Sequence, residues 1–552
     1  MADALSTPYE RGNRNQTTTH ADCIAFYEDL ARRFPDLLRF EQIGVSDAGI
    51  PMHAGVITSD GVLDRAALKA QNRPVFFNNN GIHPGEPEGI DGCMALVRDF
   101  CLQPERRAAL GRTVFLFIPL YNVDGSHNRA DTSRVNQEGP EQFGFRGNAR
   151  HLDLNRDFVK CDSLAAQVFN RFFTAWDPDV MVDTHTSNGA DYTYTMTLIH
   201  TQADKLGGAL GGFLRETMLP ALFADMETRG WPMCPYVNPI KDAPDDGIAE
   251  FLETPRFSTG YAALHHTIGF MPETHMLKPF ADRYESMRAL VESALAFTVR
   301  HGENIRALRR AARAERPAER AVHWTLDEAN PGRFRFKGYA AKHKPSKLGN
   351  YTRLYYDRSE PWERDILYFN RFRADVSVRV PRAYVLPQAW REAAERLQLN
   401  GVRMERIAAD RVERVQYYHI KDVTPRPHAY EGHMYHDHVD LETRTGEVTL
   451  KAGDWWIPLD QDKARYAVET LEPLAHDSFF RWGFFNAVLE KKEAFSDYVF
   501  EDHAEELLRT VPGLAAQFEQ WKAAHPDQLA NQEAVLSFIF AHCARWHEPE
   551  WR

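Results

Sequence analysis

Short, fully apolar runs alternate with segments of helical spacing in the chain up to about residue 315. Three runs, Arg73–Asn78, Thr113–Pro119 and Asp179–Thr184, are rich in β-branched and aromatic residues and predict strands buried on both faces. Apolar residues recur at helical spacing between Ile90 and Cys101, which predicts a helix after the first strand. Such strands, separated by helices, indicate an α/β fold with a sheet covered by helices on both sides.

The pattern changes after a long predicted helix. Apolar residues line one face of the helix at 281–315, and Pro317 ends it, so we place a first domain at 17–318. From 321 to 475 apolar and polar residues alternate over short stretches interrupted by Pro and Gly, which predicts a smaller, mainly β domain. From 476 to 552 the chain is rich in aromatic residues, and we expect a helical C-terminal segment.

The composition is typical of a folded globular protein. Of the 552 residues, 43% are hydrophobic and 26% are charged, and this balance excludes wholesale disorder. The formal net charge of −12 gives the chain no electrostatic reason to bind nucleic acid or anionic lipid. No apolar run approaches the roughly 20 residues that span a bilayer. We therefore expect neither a nucleic-acid partner nor a membrane partner.

The N-terminus and the cysteines bear on the compartment. Met1 to His20 is polar and lacks the apolar centre of a signal peptide, so we expect a cytoplasmic protein. An exported form stays open if a leader has been removed. The 6 cysteines, the last of them Cys543, are widely spaced and include no C-x-x-C pair. We therefore expect neither a disulfide scaffold nor a thiolate zinc site.

A histidine and a glutamate follow the first predicted strand on a turn shaped by Gly and Pro. His83 and Glu86 are close enough in sequence to face one ion, and imidazole and carboxylate are the zinc ligands expected where thiolates are absent. His185 follows the strand at 179–184 and is the best candidate for a third ligand, because ligands collect at the carboxyl ends of such strands. Taken alone, His83 and Glu86 are also consistent with a solvated turn.

Two further segments carry side chains that metal-assisted hydrolysis needs. The stretch from Arg146 to Phe158 concentrates guanidinium and amide groups, and arginine is the preferred bidentate partner of a carboxylate. Glu273 lies among apolar and aromatic residues at 270–275, and a glutamate beside a zinc-bound water can act as general base. A surface ion pair is the alternative for each segment taken alone.

Five motifs occur in order between about Thr17 and Arg283. They are Gly81-Ile-His83-Pro-Gly-Glu86, Asn122-Val-Asp-Gly125, Arg146-x-Asn148 followed by Asp153-Leu-Asn155-Arg156-Asp-Phe158, Asp183-x-His185, and Phe270-Met-Pro-Glu273. In this order they resemble the zinc metallocarboxypeptidases, the group typified by pancreatic carboxypeptidase A, and in particular a bacterial subgroup with a C-terminal β region. The resemblance implies a carboxypeptidase-like α/β fold for this part of the chain, with a mixed, mostly parallel sheet flanked by helices.

The resemblance implies a metal site and a base. His83, Glu86 and His185 would hold one Zn²⁺ ion, the expected cofactor. Glu273 would take a proton from the zinc-bound water and pass it to the leaving amine. A cluster of histidines at 428–438 is a candidate for a second metal site, although a solvated or partner-facing loop is the expected alternative.

The resemblance also implies how a substrate is held. Arg146 would stabilise the oxyanion, and Asn155 and Arg156 would bind the free carboxylate of the substrate. Arg129 and Arg134 compete with Arg146 for the oxyanion role, because a long insertion precedes Arg146. We prefer Arg146 because its spacing to the aspartate of the same motif resembles the bacterial form.

Two more substrate contacts are assigned by their position in the chain. Tyr261 is our candidate for the mobile tyrosine that covers the substrate in this family, and Tyr236 is a second candidate; a core or surface tyrosine is the alternative for each. Arg256 lies shortly before the predicted base, where pocket specificity is set in the family, and Ser258 lies there too. Arg256 in the pocket would favour an acidic substrate group, and a surface salt bridge is the alternative for it.

Together these residues predict a zinc-dependent hydrolase that cleaves an amide or peptide bond next to a free carboxylate. The expected partner is therefore a peptide or small amide substrate, and a homo-oligomer stays open. A deacylase resembling aspartoacylase and succinylglutamate desuccinylase is the alternative, because that branch shares the H-x-x-E and D-L-N-R motifs. An inactive binding module is disfavoured, because all three ligand types and the glutamate base are retained.

Overall fold

The strands predicted from apolar runs form the centre of a mixed sheet in the computed structural model of the chain. The structure describes residues 5–490, 492 and 495–542. Across the sheet the order is Leu38–Val45, Pro51–Ile57, Val114–Ile118, Val75–Asn79, Val180–Asp183, Ile268–His275, Met196–His200 and Met233–Pro235. A further short strand, His185–Ser187, pairs in parallel with Ile268–His275.

The central strands are parallel and buried. Val75–Asn79 runs parallel to Val114–Ile118 on one side and to Val180–Asp183 on the other. Every residue of these three strands is buried, as expected for a sheet covered by helices on both faces. Antiparallel pairs occur toward the edges, as between Leu38–Val45 and Pro51–Ile57. The predicted α/β class, with a mixed sheet and flanking helices, is therefore confirmed.

Helices pack on this sheet close to the predicted positions. Glu88–Leu102 contacts the long helix Phe280–Ala314, which also contacts the strands Val75–Asn79 and Ile268–His275. Leu164–Trp176 contacts the strand Leu38–Val45. The other helices of this part of the chain are Pro8–Arg11, His20–Arg33, Arg65–Ala70, Pro104–Ala108, Val123–His127, Ala203–Leu206, Gly208–Phe213, Leu219–Thr228 and Ser258–Leu264.

A buried ion pair joins the two packed helices. Arg283 donates from Nε to Glu88 Oε1 at 2.5 Å, and both side chains are 0% exposed. The remaining guanidinium nitrogens of Arg283 donate to backbone carbonyls of surrounding loops. Glu88 also accepts a hydrogen bond from the hydroxyl of Thr186 at 2.8 Å. The pair therefore fixes the end of the sheet where His185 lies.

Antiparallel strands follow the long helix. They are Glu319–Leu326, Gly332–Pro345, Thr352–Phe369, Phe372–Arg379, Ala383–Leu386, Arg411–Pro425, His436–Leu450 and Trp455–Pro458. The strands Arg411–Pro425 and His436–Leu450 pair over nearly their full length and form what we call the accessory hairpin. The helices Arg391–Leu399 and Ala464–Leu471 accompany these strands. The additional β region predicted after the first domain is thus present.

By its contacts the chain divides into two units, Met1–Phe484 and Phe485–Arg552. The second unit contains the helices Asp497–Thr510, Leu514–Ala524 and Gln532–Phe540, which enclose a small apolar cluster. The predicted domain boundaries near residues 320 and 476 stay predictions, and 543–552 lie outside the described residues.

Two further expectations concern the state of the cysteines and the presence of membrane-spanning helices. The cysteines that the structure describes are free and buried, and Cys543 lies outside the described residues. Among the described residues, none of the helices combines the length and the apolarity that crossing a bilayer requires.

Candidate metal centre and substrate site

Three side chains that could hold a metal converge at the carboxyl edge of the sheet. Candidate ligand atoms of His83, Glu86 and His185 all lie within 4.8 Å of one another, and the three residues are buried. His83 and Glu86 lie on the turn after Val75–Asn79, where the Glu86 N–H donates to the His83 carbonyl at 2.9 Å. His185 follows the neighbouring parallel strand, which explains why these residues meet.

The outer nitrogens of both histidines face carboxylates. His83 Nε2 lies 2.9 Å from Asp153 Oδ1, and His185 Nε2 lies 3.0 Å from Asp183 Oδ2. The inner Nδ1 atoms face the carboxylate of Glu86, at 3.2 Å from His83 and 3.1 Å from His185. A carboxylate on the outer nitrogen fixes the tautomer whose inner nitrogen has a free lone pair. Two imidazoles and a carboxylate arranged in this way are a donor set that suits catalytic zinc.

The charges around Glu86 keep it ionised. Burial alone would raise the pKa of Glu86, but the charge of Arg134 and the interactions with His83 and His185 together hold that pKa well below its usual range. Arg134 donates to Glu86 Oε1 at 2.6 Å and to the Thr186 carbonyl at 2.7 Å. An ionised carboxylate is the form that binds a cation, so the site is chemically ready for a metal.

Glu273 lies beside the candidate ligands on the adjacent strand. In the parallel pairing of Ile268–His275 with His185–Ser187, Glu273 is directly opposite His185. Burial raises the pKa of Glu273 to about 8, with His185 opposing that rise and Glu86 adding to it. A carboxyl group whose pKa lies near neutrality can both accept and return a proton.

The three arginines considered for the oxyanion role have different partners. Arg146 bonds Asp153 through Nε at 2.9 Å, and its Nη1 lies 3.3 Å from His83 Nδ1. Arg146 thus borders His83, Glu86 and His185, which we call the metal group. Its side chain is 43% exposed and is therefore open to a ligand. Arg134 is engaged by Glu86, as described above. Arg129 donates to the backbone carbonyls of Thr17, Thr18 and Gln142.

Asn155 and Arg156 lie on a short turn close to Arg146. The turn Leu154–Arg156 begins at Asp153, whose carboxylate accepts the Asn155 N–H at 2.8 Å. Arg156 donates from Nη1 to the Asn155 carbonyl at 2.8 Å, and its guanidinium lies 4.4 Å from the centre of the Phe257 ring. Because Asp153 contacts His83, Arg146 and this turn, one carboxylate connects the metal group to the candidate substrate site.

The structure places Tyr261 and Arg256 in the interior. Tyr261 is 0% exposed and donates its hydroxyl to Asn400 at 2.6 Å, so it does not cover the site. Arg256 is engaged by the buried carboxylate of Asp477, at 2.8 Å from Nε and 2.6 Å from Nη2. Its charge is therefore neutralised by an internal partner and is not offered to a substrate. Tyr236, the alternative to Tyr261, lies near the site: burial raises its pKa, and the negative charge of Glu273 adds to the effect.

Two residues near Arg156 were not predicted from the sequence. The Tyr430 hydroxyl accepts a hydrogen bond from Arg156 Nε at 3.1 Å, and Glu431 Oε2 accepts the Asp153 N–H at 2.8 Å. No spacing rule links positions that are more than 270 residues apart. Both belong to the segment that contains the histidines at 428–438; those histidines join no metal-binding group among the residues that the structure describes.

An α/β sheet with a His–Glu–His group and a buried glutamate at its carboxyl edge offers the donor set and the base that metal-assisted hydrolysis needs. Residues 23–186 match the family model described as zinc carboxypeptidase. Proteins named carboxypeptidase 2 from Trichophyton equinum and Trichophyton rubrum are 24% and 23% identical to this chain, and each alignment covers 73% of this chain and 72% of the relative. The resemblance to the zinc metallocarboxypeptidases that the motifs predict is therefore confirmed, and the comparisons support a hydrolase.

Solved structures give similar matches. A putative carboxypeptidase A from Shewanella denitrificans aligns with a TM-score of 0.38 and 16% identity, covering 51% of this chain and 69% of that one. Bovine thrombin-activatable fibrinolysis inhibitor, in complex with tick carboxypeptidase inhibitor, aligns with a TM-score of 0.38 and 14% identity, covering 52% of this chain and 98% of that one.

Proposed function

We propose that the chain is a zinc-dependent carboxypeptidase that hydrolyses the peptide bond next to a free C-terminal carboxylate. The observation that carries the proposal is the place of Glu273, a buried carboxyl group opposite His185 on paired strands. Arg146 and Arg156 lie near the same group through their shared partner Asp153. A base, a metal group and two cations thus meet at one edge of the sheet.

We assign the metal to His83, Glu86 and His185. When bound there, zinc lowers the pKa of a coordinated water and polarises the carbonyl of the bond to be cleaved. The ionised Glu86 and the fixed tautomers of the two histidines support a single divalent cation at this position.

The other residues move a proton and hold the substrate. A carboxylate oxygen of Glu273 accepts a proton from the attacking water and then donates it to the nitrogen of the leaving amine. Arg146 donates a hydrogen bond to the former carbonyl oxygen as negative charge develops on it. Asn155 and Arg156 bind the terminal carboxylate, which places the last peptide bond of the chain at the metal group.

The test uses N-acetyl dipeptides with varied C-terminal residues, each as the free acid and as the matched amide. We expect the zinc-loaded protein to hydrolyse the acids in preference to the amides. Glu273→Gln should lower kcat by at least about 10²–10⁴-fold, because a general base contributes that much. Metal analysis of this variant should still find one zinc per chain.

A matched control is available in the same protein. Like Glu273, Glu253 is buried, and burial raises its pKa to about 7, but it bonds Gln202 and not the metal group. Glu253→Gln should keep its activity. Unchanged activity of Glu273→Gln, or a preference for N-acyl amino acids over dipeptides, would contradict the carboxypeptidase proposal, and the second result would favour the deacylase.

A further inference from the structure

The accessory hairpin ends in a tight turn that contacts the candidate substrate site. Tyr430 and His433 exchange backbone hydrogen bonds of 2.8 and 3.0 Å, so two residues, Glu431 and Gly432, form the loop between them. Both have positive φ, 50° and 84°, as in the two-residue turns that match the twist of a hairpin. We call residues 430–433 the tip turn. A glutamate at positive φ is uncommon, and surrounding contacts must maintain it.

The tip turn forms hydrogen bonds to both ends of the segment 153–156, which carries Asn155. At one end, Glu431 Oε2 accepts the backbone N–H of Asp153 at 2.8 Å. At the other end, the Tyr430 hydroxyl accepts a hydrogen bond from Arg156 Nε at 3.1 Å. These are two directed bonds from adjacent residues to the segment that we assign to carboxylate binding. They account for the unusual backbone of Glu431, because its side chain reaches Asp153 from that conformation.

Further contacts hold the Tyr430 ring in place. The ring stacks on Trp482 with centroids 6.0 Å apart and an angle of 12° between the planes. The Arg256 guanidinium lies 5.3 Å and the Arg426 guanidinium 4.4 Å from the ring centre, and Asp477 holds Arg256 by an ion pair. Arg256 therefore does not contact a substrate but supports the Tyr430 ring, whose hydroxyl binds Arg156.

A second anchor lies at the far side of the tip turn. His433 Nε2 lies 2.6 Å from Asp162 Oδ2, and Asp162 is also bonded by the buried Lys160 at 3.0 Å. Lys160 in turn donates to Asp157, the residue that follows Arg156, at 2.7 Å. The tip turn is thus fixed to the same stretch of chain at both of its ends.

We propose that the tip turn is part of the substrate site, with Tyr430 and Glu431 as positioning residues for Arg156. This inference rests on the proposed carboxypeptidase function. Arg156 donates from Nε to Tyr430 and from Nη1 to the Asn155 carbonyl. The Nη2 side of its guanidinium is then the side that binds the terminal carboxylate of a peptide. Holding the guanidinium in advance lowers the entropy lost when it binds a carboxylate.

The test is Tyr430→Phe, assayed with the best free-acid dipeptide and its amide. The ring contacts remain and only the hydroxyl is lost, so we expect KM for the acid to rise about tenfold with kcat changed less than about twofold, the pattern of lost uniform binding. KM for the amide should stay within about twofold, because the amide lacks the charge that Arg156 binds. Glu431→Gln, which keeps an acceptor oxygen, should be milder than Glu431→Ala.

The matched control is Tyr418→Phe. Tyr418 lies on the same hairpin and donates its hydroxyl to Glu472 at 2.6 Å, and neither residue is part of the substrate site. This variant should have the KM of the unaltered protein for both substrates. It separates loss of a hydroxyl in the hairpin from loss of the hydroxyl at Arg156.

The outcomes separate this inference from the function on which it rests. If the unaltered protein prefers the acid and Tyr430→Phe keeps that preference and its KM, the role of the tip turn is refuted and the carboxypeptidase proposal stands. If Tyr430→Phe lowers kcat for acid and amide equally, together with the Tm, the role is purely structural and the inference is again refuted. If the unaltered protein shows no preference for the acid, both the terminal-carboxylate proposal and this inference fail.

Discussion

Replacing Asp183 by asparagine tests whether this carboxylate prepares His185 for the metal that we propose it binds. Asp183 is fully buried, and its two oxygens have separate tasks: Oδ1 accepts from Asn79 Nδ2 at 2.9 Å, and Oδ2 faces His185 Nε2 at 3.0 Å. The aspartate thus holds a proton on Nε2 and leaves Nδ1 for the metal.

An asparagine of the same shape cannot perform both tasks. If its oxygen keeps the bond from Asn79, its NH₂ group faces His185 Nε2, and two donors then oppose each other. His185 escapes the conflict by moving its proton to Nδ1, which removes the lone pair that a metal needs. Loss of a carboxylate behind a metal-binding histidine typically costs 10–100-fold in affinity, or about 1.4–2.8 kcal/mol.

The assay is competition for zinc against a chelator of known affinity, at constant pH. We expect Asp183→Asn to bind zinc 10–100-fold more weakly, and saturating zinc should restore part of kcat/KM. Asp91→Asn is the matched control, because Asp91 is a buried aspartate bonded to Thr18 and not to a histidine. A zinc affinity of Asp183→Asn within about twofold of the unaltered protein would refute the argument.

Three further outcomes are expected. Arg146→Gln should lower kcat by about 10²–10³-fold at saturating zinc if Arg146 supports the oxyanion; a loss confined to KM would assign it to substrate binding. Burial raises the pKa of Asp91 from 3.8 to about 7, so its stabilising contribution is present below pH 3.8 and is lost as the pH rises through 7. In urea titrations Asp91→Asn should therefore gain stability relative to the unaltered protein between pH 5 and pH 8, and equal pH profiles would contradict the shift. Arg283→Met should lower the unfolding free energy by about 3–5 kcal/mol, because it leaves Glu88 buried and unpaired, and adding Glu88→Gln should recover part of the loss.

Local patterns sufficed to predict the sheet and the meeting of His83, Glu86 and His185 at its edge. The buried strands are unbroken apolar runs, and the long helix predicted at 281–315 is observed at Phe280–Ala314. His83, Glu86 and His185 could be brought together because each follows a predicted strand, and the carboxyl ends of parallel strands share one edge. In each case the signal is a local pattern, and the general geometry of parallel sheets supplies the long-range contact.

The position of Tyr261 is one that local patterns do not predict. It lies in Ser258–Leu264, a helix in which every residue is buried, so no exposed face indicates which side chain points to solvent. Its bond to Asn400 and the ion pair of Arg256 with Asp477 depend on how distant parts of the chain pack. Tyr430 and Glu431 were missed for the same reason, because the register of the accessory hairpin decides where its tip lies. Residues whose role depends on a partner far along the chain carry no local signal.

The distribution of charge indicates that only some of the arginines near the metal group are available to a substrate. A chain with a net charge of −12 repels a peptide carboxylate at long range, so attraction must come from cations close to the metal group. Arg134 and Arg256 are 14% and 11% exposed, and each is paired with a buried carboxylate. Arg146 and Arg156 are 43% and 22% exposed and share Asp153. Arg146 and Arg156 are therefore the cations of this site that a terminal carboxylate would reach.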